Sequence, residues 1–324
     1  MTSLPSLLDK LNGFAADSPF PDAPPGLYEP CDYLLALGGK RLRPALLLMA
    51  YELFRDDVAQ ALPAAWAVEL FHNFTLMHDD IMDAAPLRRG RPTVHTRWNV
   101  STGILSGDVM LIYAYRHLLG VGDDATARAL VGVFNRVAIG VCEGQQMDVN
   151  FETRNDVSLP EYVRMIELKT AVLLGGALEM GALAAGASAE DAGHLYEFGR
   201  LAGISFQIQD DLLDTYGDPA KFGKQVGGDI LQNKKTFLVL KTLETAPLAE
   251  QQELRQWMSS SAEAPGKVEA VRALFDRNQI PAQVAEAQNH YREAAFRHLD
   301  AVQVPESRKA VLRASVEDLL VRQF

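Results

Sequence analysis

Two cysteines, Cys31 and Cys142, in 324 residues exclude a disulfide-stapled scaffold, and neither stands in a spacing that makes a metal site or an activated nucleophile. Positive charge is also scarce. Against 42 Asp and Glu there are 31 Lys and Arg, and the net charge of -11 excludes nucleic acid or an anionic membrane surface as the main partner. Apolar runs are interrupted before they reach the length that crosses a bilayer, so no integral membrane segment is expected. The opening Met1-Thr2-Ser3-Leu4-Pro5 has no basic region followed by an apolar core, which points to a cytoplasmic protein with reduced thiols. Strand signals are almost missing as well. What is abundant is apolar residue, 48% of the chain, enough for a large core. Gly, Pro and Ser are scattered, so residues 1–324 read as a single domain; only Ser18 to Gly26, with four prolines, is irregular for long.

The apolar residues recur at three and four. This spacing predicts helices over Pro63–Asp83, Ser101–Leu119, Thr126–Val149, Leu159–Ala185 and Ala189–Asp214. Start signals agree: Ser158-Leu159-Pro160-Glu161 is a capping box with an early proline, and Ser188 with Asp191 repeats it in acidic form. The fold class is therefore all-α, a single large helical bundle. Helices of about twenty residues span roughly 30 Å, enough to enclose a deep central cavity with apolar walls.

Two of these helices end on the same acidic pattern. Asp79-Asp80-Ile81-Met82-Asp83 and Asp210-Asp211-Leu212-Leu213-Asp214 stand 131 positions apart, from 79 to 210. Residues four apart share a helix face, so Asp79 stacks with Asp83 and Asp210 with Asp214. Stacked carboxylates repel unless a cation sits between them, and hard oxygen ligands suit Mg²⁺, which commonly bridges carboxylates to a substrate's phosphates. Asp56-Asp57 and Asp123-Asp124 lack the third Asp and are expected to be solvated helix ends. Pro86 and Gly90 follow the first motif, and Gly217 and Pro219 the second, which puts both at helix C-termini, the end of the dipole that favours cations. Phosphates would meet the basic clusters Lys40-Arg41-Leu42-Arg43, Arg88-Arg89-Gly90-Arg91, Lys221 with Lys224, and Lys234-Lys235. The ligand these features imply is a diphosphate head on an apolar tail.

In order along the chain, Gly38-Gly39-Lys40-x-x-Arg43-Pro44, the first aspartate motif, Arg88-Arg89-Gly90-x-Pro92-Thr93, Gly144-Gln145-x-x-Asp148, Lys169-Thr170, Gln207-x-x-Asp210-Asp211-x-x-Asp214, Gly228-Asp229 and Asn233-Lys234-Lys235-Thr236 resemble the trans-isoprenyl diphosphate synthases. That resemblance implies head-to-tail joining of allylic diphosphates to isopentenyl diphosphate, with Mg²⁺, three ions per site, and commonly a homodimer. It implies that Lys40, Arg43, His72 and Arg89 hold isopentenyl diphosphate. The allylic diphosphate would be held by Arg88, Lys169, Gln207, Lys224 and Lys234, and through magnesium by Asp79, Asp83 and Asp210. Asp80, Asp211 and Asp214 would support metal-bound water, and Thr170 and Gln207 would stabilise the positive carbon. Gln145 and Asp148 read equally as supporting residues or as packing.

Product length is expected to turn on the helix that carries the first motif. Phe74 lies about 7.5 Å along the axis before Asp79, with Thr75 one turn before it. A large aromatic five positions before the first Asp and a small residue four before it resemble synthases ending at C20; aromatics at both would favour C15. Leu105 or Tyr113 on the next helix are alternative floors. The rival functions are farnesyl diphosphate synthase, a terpene cyclase, whose second metal motif differs, and a non-catalytic regulatory subunit, which would have lost metal aspartates. The terminal Val321-Arg322-Gln323-Phe324 departs from the basic tail of some farnesyl synthases.

Overall fold

The computed structural model describes residues 2–217 and 227–320, and these form two compact units of helices. The only strands among them are the two-residue partners Leu87–Arg88 and Arg91–Pro92. The all-α expectation holds, and most helix bounds fall within a few residues of those expected from periodicity.

The first unit comprises residues 1–135, 177–195 and 303–312. Its helices Leu4–Ala16, Pro25–Ala36 and Leu42–Glu52 surround the helix Leu62–Met82, which carries the first aspartate motif. Leu7, Leu11, Leu34, Leu47, Leu48, Phe71 and Phe134 are fully buried there. The first-motif helix packs tightly on the helix Val100–Leu118 because two glycines, four apart, leave hollows on the latter. A Cβ on Gly107 would lie 2.3 Å from Nε2 of His78, and one on Gly103 would lie 2.8 Å from Cδ1 of Ile81. The acidic pairs without a third Asp do serve helix ends: Asp57 accepts from Ala59 N and Asp123 from Thr126 N.

The second unit comprises residues 136–176, 196–302 and 313–324. It holds the helices Leu159–Ile166, Gly228–Leu231, Phe237–Thr245, Leu248–Trp257, Lys267–Arg277 and Ile280–Ala301, together with the C-terminal part of the helix Ala189–Tyr216, which bears the second motif. Its core joins Tyr162, Ile166, Ile208, Leu212, Phe237, Leu238, Leu274 and Phe275. The box at Ser158 forms as expected, with Ser158 Oγ accepting from Glu161 N while Glu161 accepts from Ser158 N. One prediction needs correction. The expected helix over Leu159–Ala185 is interrupted by a π turn, Glu167–Ala171, before helix resumes at Val172–Ala184. The extra residue of such a bulge leaves no trace in apolar periodicity.

A second correction concerns membrane-length runs. The helix Asp124–Thr153 has 30 residues and an eighteen-residue stretch of mean hydropathy 1.3, long and apolar enough by those measures to cross a bilayer. Its Leu130, Phe134, Val137 and Val141 are buried in the fold, while Ile139 on the same helix is 59% exposed.

Candidate active site

The first motif ends its helix. Asp83 is the C-cap, its N–H bonded to the carbonyl of Asp79 at 2.8 Å, and Ala84 then turns into the left-handed region at φ 47°. Asp79 is half-buried, Asp80 buried and Asp83 exposed. Four residues later the chain makes a hairpin. Arg89 (φ 53°) and Gly90 (φ 75°) fill both central positions of a two-residue turn between Leu87–Arg88 and Arg91–Pro92, the pattern of a type I′ turn. A bulky residue in that conformation is uncommon, and here it fixes the directions of two neighbouring arginines. Arg88 turns to Asp80, donating from Nε to Oδ2 at 2.7 Å and from Nη2 to Oδ1 at 2.8 Å. Arg89 lies against the glycine pair; a Cβ on Gly39, whose φ is 143°, would sit 2.7 Å from its Nη2. Asp80, expected to support metal-bound water, thus holds the arginine loop, and Arg88, expected on the allylic diphosphate, is joined to it.

His72 and Arg43, both expected at isopentenyl diphosphate, lie side by side. Arg43 Nη1 lies 3.1 Å from His72 Nε2, and since a guanidinium only donates, that nitrogen accepts and the imidazole proton sits on Nδ1. Burial, reinforced by Arg43, Arg89 and Arg88, pushes the His72 pKa well below its usual value, so the ring is neutral. Arg43 itself falls to about 10 through burial, opposed by Glu69, and its Nε has no partner. Glu69 is 5% exposed; burial raises its pKa while Asn73, Arg41, Arg43 and Arg89 pull it down. These groups form a cationic patch with one buried carboxylate behind it. Lys40 is exposed on the loop leading to the helix Leu42–Glu52, where Arg41 takes a left-handed φ of 44°.

The second motif repeats the division of labour seen in the first. Asp211 is buried, accepting from Tyr162 Oη at 2.5 Å and from Phe237 N at 2.8 Å. It therefore anchors one neighbouring helix and caps another. Burial raises its pKa to about 7 against those two hydrogen bonds. Asp210 and Asp214 are half-buried, and Asp214 Oδ2 accepts from Asp229 N at 3.0 Å. Lys234 is exposed and pairs with Asp229 at 3.1 Å. Gln207 is half-buried, one turn before Asp210. Lys224, together with Lys221, lies outside the described residues.

Lys169 and Thr170 sit within the π turn, both half-buried. Lys169 Nζ is 2.5 Å from Asp148 Oδ2. Gly144 makes the turn possible: a Cβ there would lie 2.3 Å from Lys169 N. Both amide atoms of Gln145 are buried without a hydrogen-bond partner. Gly144→Ala is expected to push the π turn away at a cost of ~1–3 kcal/mol, lowering both the melting temperature and the turnover. An unchanged turnover with a lowered melting temperature would detach the turn from catalysis.

Among the described residues, no three His, Cys, Asp or Glu side chains converge enough to hold a metal unaided. Magnesium needs no such cage, since it takes one or two carboxylates and completes its shell with water and substrate phosphates. The all-oxygen pairs Asp79 with Asp83 and Asp210 with Asp214, each near a helix C-terminus, fit that ion.

Sequence reasoning missed three things here: the hairpin, the π turn and the structural role of the middle aspartates. The Arg89-Gly90 pair was the available signal for the first. For the others there was none short of packing.

An all-α chain in which two long helices each end on a carboxylate pair, with arginines and lysines clustered nearby in sequence, matches a class of prenyltransferases. The chain belongs to the polyprenyl synthetase family, whose profile matches residues 24–275. It is 45% identical over 223 residues to the geranylgeranyl diphosphate synthase of Methanosarcina mazei, 68% of either chain. With the geranylgeranyl pyrophosphate synthase of Geoglobus acetivorans it shares 38% identity over 288 residues, 88% of either chain. A crystal structure of a geranylgeranyl pyrophosphate synthase matches it with TM-score 0.95 and 44% identity over 100% of both chains.

Proposed function

We propose that this prenyltransferase joins allylic diphosphates head to tail with isopentenyl diphosphate and stops at C20, geranylgeranyl diphosphate. The observation that carries the reading is the twin carboxylate pair at helix C-termini, in a chain several of whose relatives are named for that product. Residues 1–324 act as one synthase domain, and both motifs are needed for the reaction.

The roles follow from chemistry. Asp79, Asp83 and Asp210 would hold magnesium, three ions per site, and bound there it supplies Lewis-acid withdrawal of charge from the allylic diphosphate. Lys169, Lys224 and Lys234 take phosphate charge, and Arg88 does so through the edge left by Asp80. Thr170 and Gln207 present oxygen dipoles to the positive carbon, and Arg43, neutral His72, Lys40 and Arg89 hold isopentenyl diphosphate. A neutral His72 with Arg43 on Nε2 offers its Nδ1 proton as a donor to phosphate.

Phe74 is the proposed floor. Its ring is 5.7 Å from Phe71 and 4.7 Å from His78, while Thr75 Oγ1 donates to His72 O at 2.8 Å and leaves a small surface beside it. Leu105 is 59% exposed and Tyr113 packs on Phe20 at 4.9 Å, which supports Phe74 over either of them. Leu105, Ile112 and Leu119, seven apart, make an exposed apolar stripe suited to a homodimer contact. A cytoplasmic location fits the buried Cys31, whose thiol burial pushes up to about 12, and a water-borne diphosphate substrate.

The test is incubation with Mg²⁺, labelled isopentenyl diphosphate and, separately, dimethylallyl, geranyl and farnesyl diphosphates, with the dephosphorylated alcohols resolved by length. A dominant C20 alcohol is expected from each primer. A C15 endpoint would make it a farnesyl synthase, and no magnesium-dependent elongation at all would remove the synthase reading.

A further inference from the structure

Beside the isopentenyl-binding patch, a groove of about 380 Å³ is lined by Tyr33, Ala36, Leu37, Arg89, Arg91 and Arg97. Three of its six walls are guanidinium groups. In a chain of net charge -11 that is an unusual place, and among the described residues no carboxylate forms an ion pair with Arg91 or Arg97, whereas Arg88 gives its Nε and Nη2 donors to Asp80. The arginines are also held in place. Arg97 lies 4.4 Å from the ring centroid of Tyr33 and 4.6 Å from that of Trp98, and Tyr33 Oη donates to the carbonyl of Pro92 at 2.7 Å, which ties this stack to the hairpin. Arg91 is fixed on the second strand of that hairpin, and Arg89 in its turn. Repulsion between the Arg91 and Arg97 guanidiniums, with Arg89 beside them, is relieved by an anion, and planar forks of donors suit one with several oxygens. Leu37 and Ala36 add a short apolar wall, room for a small hydrocarbon and not for a long one.

We infer that this groove is an outer station for a diphosphate monoester with a short apolar group, which Arg91 and Arg97 capture and pass by way of Arg89 to Arg43 and His72. Arg89 belongs to both places: it lines the groove and its charge is felt by His72. The inference rests on the reading of the protein as a synthase that takes isopentenyl diphosphate, and it assigns to Arg91 and Arg97 a capture role outside the set that grips the substrate during the reaction. Fixed positive charge at an entrance raises the local concentration of an anionic substrate and its on-rate, by an amount that salt reduces.

Arg91→Gln/Arg97→Gln in the full chain tests this. KM for isopentenyl diphosphate is expected to rise about tenfold, with kcat and KM for the allylic primer changed less than twofold. The fall of kcat/KM with added salt should become shallower. Because Arg97 also packs on two aromatic rings, the single Arg91→Gln, on an exposed strand residue, provides a second reading with a smaller shift in the same direction. An unchanged KM for isopentenyl diphosphate and an unchanged salt slope in both variants would overturn the station. Calorimetric titration with inorganic diphosphate, without magnesium, separates this from failure of the synthase reading: the double variant should lose one salt-sensitive site per chain whether or not the wild type elongates any primer. Equal stoichiometry in wild type and double variant would also overturn the proposal, and stoichiometric loss with normal KM would assign the groove to released inorganic diphosphate in place of the substrate.

Discussion

Asp79→Ala and Asp210→Ala each lower turnover by roughly a thousandfold or more, the scale of losing a main electrostatic contact to the reacting group. Both residues are the first of their triplets, half-buried, and placed with their i+4 partners near the negative end of a helix. The middle aspartates behave differently. Asp211→Asn keeps an oxygen for Tyr162 Oη and Phe237 N, so it retains the fold and most of the turnover. Asp211→Ala strands both donors in a buried site, at ~1–3 kcal/mol for each unsatisfied group, and acts first on stability. Asp80→Asn loses one half of the bidentate pair with Arg88 and loosens the arginine loop. Melting curves recorded beside steady-state rates in a magnesium series check the division. Equal losses of turnover at all the aspartates without change in stability would refute it.

Phe74→Ala moves the product distribution from C20 to longer chains. The ring is held between Phe71 and His78, and His78 is itself fixed, with its Nε2 3.1 Å from the carbonyl of Ile104 and its ring seated where Gly107 has no side chain. A wall so supported cannot swing aside to admit another five carbons. Because Phe74 is half-buried, its removal costs less than the roughly 3–5 kcal/mol of a fully buried aromatic, and the fold survives the test. Radiolabelled alcohols from the variant should extend past C20 with farnesyl diphosphate as primer. A persistent C20 endpoint would relieve Phe74 of the role.

Much of this was legible in the chain itself, because the relevant signals are local. Helical periodicity located the first-motif helix to within a residue, expected at Pro63–Asp83 and found at Leu62–Met82. Ser158 and Glu161 announced their box. Three features escaped, and each depends on what is distant in sequence. Asp211 differs from Asp210 only through Tyr162 and the helix starting at Phe237, 49 and 26 positions away. The π turn exists where Gly144 allows a close approach, which no periodicity in Glu167–Ala171 records. The groove of Arg91 and Arg97 needs Tyr33, 59 positions before Pro92, to be built at all.

Single-turnover formation of geranylgeranyl diphosphate across a magnesium titration, for wild type, Asp79→Ala, Asp210→Ala and the double variant, tests most directly that both motifs are needed for one reaction. Residues acting as a unit are strongly non-additive, so each single variant should fall to nearly the level of the double one and need much more magnesium. Losses that multiply in the double variant, or full turnover after removal of either motif, would contradict that joint action.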